Sequence, residues 1–87
     1  GVYGTIGVNE TGYNHDVQIS PNPADNFFRI DSKIKFTDFS ICDVSGRKIL
    51  FGKINGNNIE INELKPGIYF VQLSSGGKTI IKKLIKK

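Results

Sequence analysis

One cysteine, one histidine, no tryptophan and no methionine occur in the 87 residues. With Cys42 alone, no disulfide can close within the chain. The staple on which small secreted folds often rely is therefore missing. Cys42 lies in an alternating apolar run, whereas His15 lies in a Gly- and Asn-rich stretch. A thiol without a base nearby reads as a small apolar residue, not as a nucleophile. His15 has no Cys, His or carboxylate cluster at ligand spacing, so neither a metal site nor a cofactor is expected. No run of about eighteen apolar residues occurs, which excludes a membrane-spanning helix. There is no nucleophile–base pair, carboxylate dyad or phosphate loop, so an enzyme is not expected. Gly76-Gly77-Lys78-Thr79 matches the end of a phosphate loop but lacks its earlier glycine and its following helix. No initiator methionine or signal-peptide pattern opens the chain, and Gly1 reads as a cut within a larger protein.

What is present suits one small β domain. A chain of this length makes at most one domain, and it buries only about 60–65% of its unfolded surface. Hydrophobic residues make up 38%, enough for a small core and too many for a disordered tail. Ten glycines and three prolines predict frequent turns and short strands. The net charge of +4 is uneven. Lys78, Lys82, Lys83, Lys86 and Lys87 put +5 on the last ten residues, and the remainder carries −1. The basicity thus belongs to one terminal strand. Nucleic-acid binding is not expected, because no aromatics are interleaved with these lysines in a recognised pattern.

Residues 1 to 16, GVYGTIGVNETGYNHD, space their apolar side chains too loosely for an element and read as a linker. Val17 to Ser20 alternates as a first strand, and Pro21-Asn22-Pro23 stops it. Phe27 to Ile30 is a second strand, with Phe28 and Ile30 on one face. Phe39 to Asp43 and Arg47 to Gly52 form a hairpin. Its turn needs Gly46 at positive φ and Asp43 as acceptor for turn amides, with Arg47 in reach of Asp43. Ile59 and Ile61 alternate with polar residues in a fifth strand, and Leu64 is expected to tuck under the fold. Lys65-Pro66-Gly67 predicts a type II turn. The run Gly67 to Leu73 is apolar on both faces, which predicts a central strand covered on both sides. After a turn over Ser74 to Gly77, Lys78 to Ile85 returns with lysines on both faces, as an edge strand does. No helix is needed. About seven short strands between turn signals predict an all-β, immunoglobulin-like antiparallel sandwich, without the Cys-Trp-Cys hallmark of true immunoglobulin domains. Most of the aromatics are expected in its core.

Pro21-Asn22-Pro23, the block Asp43-Val44-Ser45-Gly46-Arg47, the strand LKPGIYFVQL and the terminal KTIIKKLIKK occur in this order. The ordered set resembles the type A C-terminal sorting domain of the type IX (Por) secretion system of Bacteroidetes-type bacteria, over residues 17 to 87. One departure is Cys42, where the family more often has an aromatic residue. The resemblance implies a secretion signal at the end of a larger cargo. The cargo would pass the periplasm, cross the outer membrane through a translocon, and reach the cell surface or the medium, with or without attachment to lipopolysaccharide. A sortase-like C-terminal signal peptidase would remove the domain at a processing site within the linker of residues 1 to 16. Gly67, Tyr69, Val71, Lys82, Lys83, Lys86 and Lys87 match the most signal-like positions. Pro21, Asn22, Pro23, Asp43, Gly46, Arg47, Pro66 and Gly67 match structural turns. The alternatives are an immunoglobulin-like spacer, or an adhesion or carbohydrate-binding module. An edge strand with unpaired backbone groups also offers a route to strand addition by a receptor, or to homodimers in isolation.

Overall fold

The computed structural model describes residues 17–87, so the linker and its processing site lie outside the described residues. Seven strands and no helix occur among them: β1 (Val17–Ser20), β2 (Phe27–Ser32), β3 (Asp38–Asp43), β4 (Lys48–Lys53), β5 (Asn58–Glu60), β6 (Gly67–Ser75) and β7 (Lys78–Lys86). They form two antiparallel sheets, one ordered β1-β2-β5 and the other β4-β3-β6-β7. The chain changes sheet between β2 and β3, and again on either side of β5, which gives the immunoglobulin-like sandwich.

Alternation decides which side chains meet between the sheets. Val17, Ile19, Phe28, Ile30 and Ile59 turn inward from the smaller sheet. Ile41, Tyr69, Val71, Leu73, Ile80 and Leu84 turn inward from the larger one. Phe36, Ile61 and Leu64 close the ends, so Leu64 is tucked under the fold as its sequence context predicts. No polar or charged side chain is buried among the described residues.

The turns explain the register. Gly76 and Gly77 have φ of 55° and 88° between paired Ser75 and Lys78. Two consecutive positive φ values are the mark of a two-residue type I′ hairpin, whose twist matches that of the strands. The turn is tighter than its sequence predicts because pairing continues past Leu73 to Ser75. Between β3 and β4, the Gly46 amide donates to the Asp43 carbonyl at 3.0 Å, and the Asp43 amide donates to the Arg47 carbonyl at 3.0 Å. Gly46 sits at φ 91°, as a three-residue hairpin with a bulge requires.

Two expectations need correction. The hydrogen-bonded turn before β6 falls at Ile61–Leu64, where the Leu64 amide reaches the Ile61 carbonyl at 3.1 Å. Gly67, at φ 155°, is far from the roughly 80° of a type II turn. The Lys65-Pro66-Gly67 corner is held instead by Tyr69, whose hydroxyl donates to the Lys65 carbonyl at 2.7 Å. This is the tyrosine-corner arrangement of immunoglobulin-like sandwiches. Second, β6 is central by pairing, between β3 and β7, but only its inner face is covered. Ile68 and Phe70 stand in solvent on the outer face, as do Phe51 of β4 and Phe27 of β2. Nothing among the described residues packs a further layer against that sheet, so apolar sequence on both faces of a strand does not here mean burial on both.

Candidate functional site

Three of the four motifs that the sequence singles out meet at β7: the Pro21-Asn22-Pro23 loop, the strand from Gly67 and the terminal strand itself. Its strand partner is β6, in register from Ser75–Lys78 to Gly67–Lys86. Its other side is an edge, as the lysine pattern predicts. That edge is not bare along its whole length. The Ala24 amide donates to the Ile85 carbonyl at 2.8 Å, and the Lys87 amide donates to the Ala24 carbonyl at 2.8 Å. Two residues earlier, the Asn22 side chain copies a strand. Its Nδ2 donates to the Lys83 carbonyl at 2.9 Å, and its Oδ1 accepts from the Ile85 amide at 2.9 Å. The donor and acceptor of the amide are each matched, so its orientation follows from its partners.

The Pro21-Asn22-Pro23 motif is thus a clasp on the end of β7. Both X–Pro peptides in it, Ser20–Pro21 and Asn22–Pro23, are cis. The clasp joins residues more than sixty positions apart and occupies the edge groups from the Lys83 carbonyl to the Lys87 amide. Among the described residues, strand alternation leaves the outward groups of Thr79 and Ile81, with the Lys83 amide, as the edge open to pairing. Replacing Asn22 by Ala removes two hydrogen bonds at an exposed site. At about 0.5–1.5 kcal/mol net each, the change should cost about 1–3 kcal/mol. It should lower the melting midpoint by about 5–20 °C for a domain of this size. Amide exchange at Ile85 should accelerate while exchange at Val71 follows only the global change. Unchanged protection at Ile85 would mean that the clasp does not hold.

The expected recognition residues fall into two groups. Lys83 is exposed on the outer face of the sheet and Lys87 is exposed at the terminus. Lys82 lies on the inner side of β7, half-buried, cross-strand from Val71, and Lys86 is half-buried opposite Gly67. The Lys86 ammonium donates to the Lys87 carbonyl at 3.1 Å. Val71 is fully buried and Tyr69 nearly so, so their side chains shape the strand from within. Gly67 opens β6, and a Cβ there would come to 4.0 Å from the Tyr69 ring. Pro66 precedes it in the corner that the tyrosine hydroxyl closes.

The Asp43 turn lies at the far end of the β3–β4 hairpin. Its Oδ1 accepts from the Ser45 hydroxyl at 2.6 Å and from the Ser45 and Arg47 amides at 2.9 and 3.0 Å. The Ser45 hydroxyl above all, then the Arg47 amide, hold its carboxyl below the ordinary aspartate value. The Arg47 guanidinium stands 3.8 Å from Oδ2 in an exposed pair. Pairs of that kind contribute about 0–1 kcal/mol, so the amide bonds, not the ion pair, shape this turn. No cluster of three or more His, Cys, Asp or Glu suited to a metal occurs among the described residues.

Sequence reasoning missed the clasp and the tyrosine hydroxyl bond. An Asn between two prolines was a legible signal for a rigid, side-chain-bonded loop, but it did not name β7 as the partner.

Residues 18–87 match the family model described as the secretion system C-terminal sorting domain. No curated protein matches the chain. The match spans all seven strands but for the first residue of β1. The family's role is that of a C-terminal signal for type IX secretion. It is attached to an N-terminal cargo, engages the type IX machinery, and directs export across the outer membrane to the cell surface or the medium. That role points to a non-catalytic domain. The chain belongs to the type IX secretion C-terminal sorting domain family.

Proposed function

We propose that the folded domain is read in the periplasm by the outer-membrane translocon through its terminal basic strand. A sortase-like peptidase then removes it by cutting within residues 1 to 16. The observation that supports this reading is the concentration of five lysines on residues 78 to 87, in a strand whose end is pinned by Asn22. A pinned strand presents its charges in a fixed pattern at little entropic cost on binding. Positive charge at one edge speeds encounter with an acidic receptor surface. Lys83 and Lys87 make the direct contacts, with Lys82 and Lys86 adding to the local field. Gly67, Tyr69 and Val71 contribute by holding β6, the strand on which β7 is built.

The test is a fusion of residues 1 to 87 to the C-terminus of a periplasmic reporter, in a bacterium that carries this secretion system. The expected result is reporter outside the cell, shortened by about the mass of the domain. Full-length reporter retained in the periplasm, while an established signal works in parallel, would overturn the reading. Exported reporter that keeps the domain would overturn the peptidase step alone.

A further inference from the structure

The two outer faces of the sandwich differ sharply. On β1, β2 and β5 the outward residues are Gln18, Ser20, Arg29, Asp31, Asn58 and Glu60, with Phe27 as the one large apolar residue. On the four-stranded sheet, Phe51, Ile68, Phe70, Ile81 and Ile85 are all exposed, between 38% and 69%. Scattered apolar side chains on a surface are ordinary, but a contiguous group is not.

The register makes Ile68, Phe70, Ile81 and Ile85 contiguous and sets Phe51 apart, across Ser40 and Gln72. Ile68 is paired with Ile85, and Phe70 with Lys83 on one side and Cys42 on the other. Ile81 is paired with Gln72, one diagonal step from Phe70, within reach of large side chains. Phe51 pairs with Ser40, which pairs in turn with Gln72. A depression of about 430 Å³ lies on this face, lined by Asp38, Ser40, Phe51, Lys53, Gln72 and Ser74 among others.

The net charge on the face is positive. The four strands hold only two carboxylates, Asp38 and Asp43. Asp38 is bound to Lys53 at 2.9 Å and Asp43 is committed to its turn. Lys48 stands 5.4 Å from the centre of the Phe51 ring. Lys83 lies on the edge strand, flanked by Ile81 and Ile85 on the same side of β7 and cross-strand from Phe70, so three of its neighbours on this face are apolar.

We infer that the outer face of the β4-β3-β6-β7 sheet is a docking surface for a protein of the export machinery. The partner surface is apolar and carries a carboxylate placed against Lys83. The inference rests on the export reading and names the surface that export uses. The position of Lys83 selects the partner's chemistry. A second copy of this face brings no uncommitted carboxylate to Lys83, since its Asp38 is bound to Lys53 and its Asp43 to its turn, and a hydrocarbon phase offers Lys83 no counter-charge. A protein can set a carboxylate at that point and cover Phe70 around it.

The test uses the reporter fusion with Phe70→Thr/Ile81→Thr, with Ile81→Thr alone, and with Lys83→Glu and Lys83→Arg. Threonine retains strand preference, and the replaced side chains are outside the core, so melting midpoints should stay within a few degrees of the parent. Export rate should fall at least tenfold for the double variant and for Lys83→Glu. It should fall severalfold for Ile81→Thr and hold for Lys83→Arg. Phe27→Thr on the opposite sheet should export as the parent does. Parental export of the folded double variant would overturn the inference while leaving the export reading standing. Failure of the parent fusion itself would overturn both. Binding to phosphatidylglycerol vesicles that the double variant loses would overturn it in favour of a membrane surface. A dimer that the double variant dissolves would overturn it in favour of a second copy.

Discussion

Deleting residues 78 to 87 is expected to abolish folding. The deletion removes all of β7, which pairs with β6 over nine positions. It also removes Ile80 and Leu84, at 3% and 0% exposure, from between the sheets. Loss of a buried Ile or Leu side chain costs about 2–5 kcal/mol. Small domains hold only about 5–15 kcal/mol in total. Two such losses, together with a bared central strand and the loss of the bonds from Asn22 and Ala24, exceed what a domain of this size can spare. Circular dichroism should show no cooperative thermal transition, and amide resonances should collapse to unfolded values. A truncated chain that melts within 10 °C of the full domain would show that the six remaining strands suffice. The expected unfolding also changes how secretion data are read. Loss of export on truncation does not by itself separate a missing signal from a missing fold. Substitutions at exposed Lys83 and Lys87 make that separation, because they leave the core intact.

Phe28→Ala is expected to be the most damaging single substitution considered. Phe28 is fully buried in the middle of the smaller sheet, paired with Ile59. A buried Phe replaced by Ala costs about 3–5 kcal/mol. For a domain of this size, that lowers the melting midpoint by more than about 12 °C. Phe51→Ala is the matched control, since Phe51 is 69% exposed. It should cost less than about 0.5 kcal/mol. Urea titrations should shift the midpoint of the first variant strongly at an unchanged slope, and barely shift the second. Equal costs would mean that the phenylalanines are sorted wrongly between core and surface.

Much of the fold was legible because β structure writes itself locally. The alternation at Val17–Ser20, Phe27–Ser32 and Asn58–Glu60 marks one buried face each. Gly46, Gly76 and Gly77 mark their turns because the backbone there needs positive φ. Asp43 was legible as a turn acceptor for the same reason: its partners lie within four residues. The Lys65-Pro66-Gly67 corner was read only in part. Its tyrosine bond depends on where the Tyr69 ring enters the core, and turn preferences carry no information on that.

Composition and order determined that this is a small all-β domain with frequent turns, one strand-borne block of positive charge and the motif order of a sorting domain. Those properties depend on each residue and its near neighbours, so they survive without coordinates. Tertiary structure alone decided that Asn22 closes the end of the β7 edge, and that nothing among the described residues covers one face of the larger sheet. Both depend on which strands become neighbours. Ile68 and Phe70 are apolar whether or not a layer covers them, and only the arrangement of the two sheets leaves them in water.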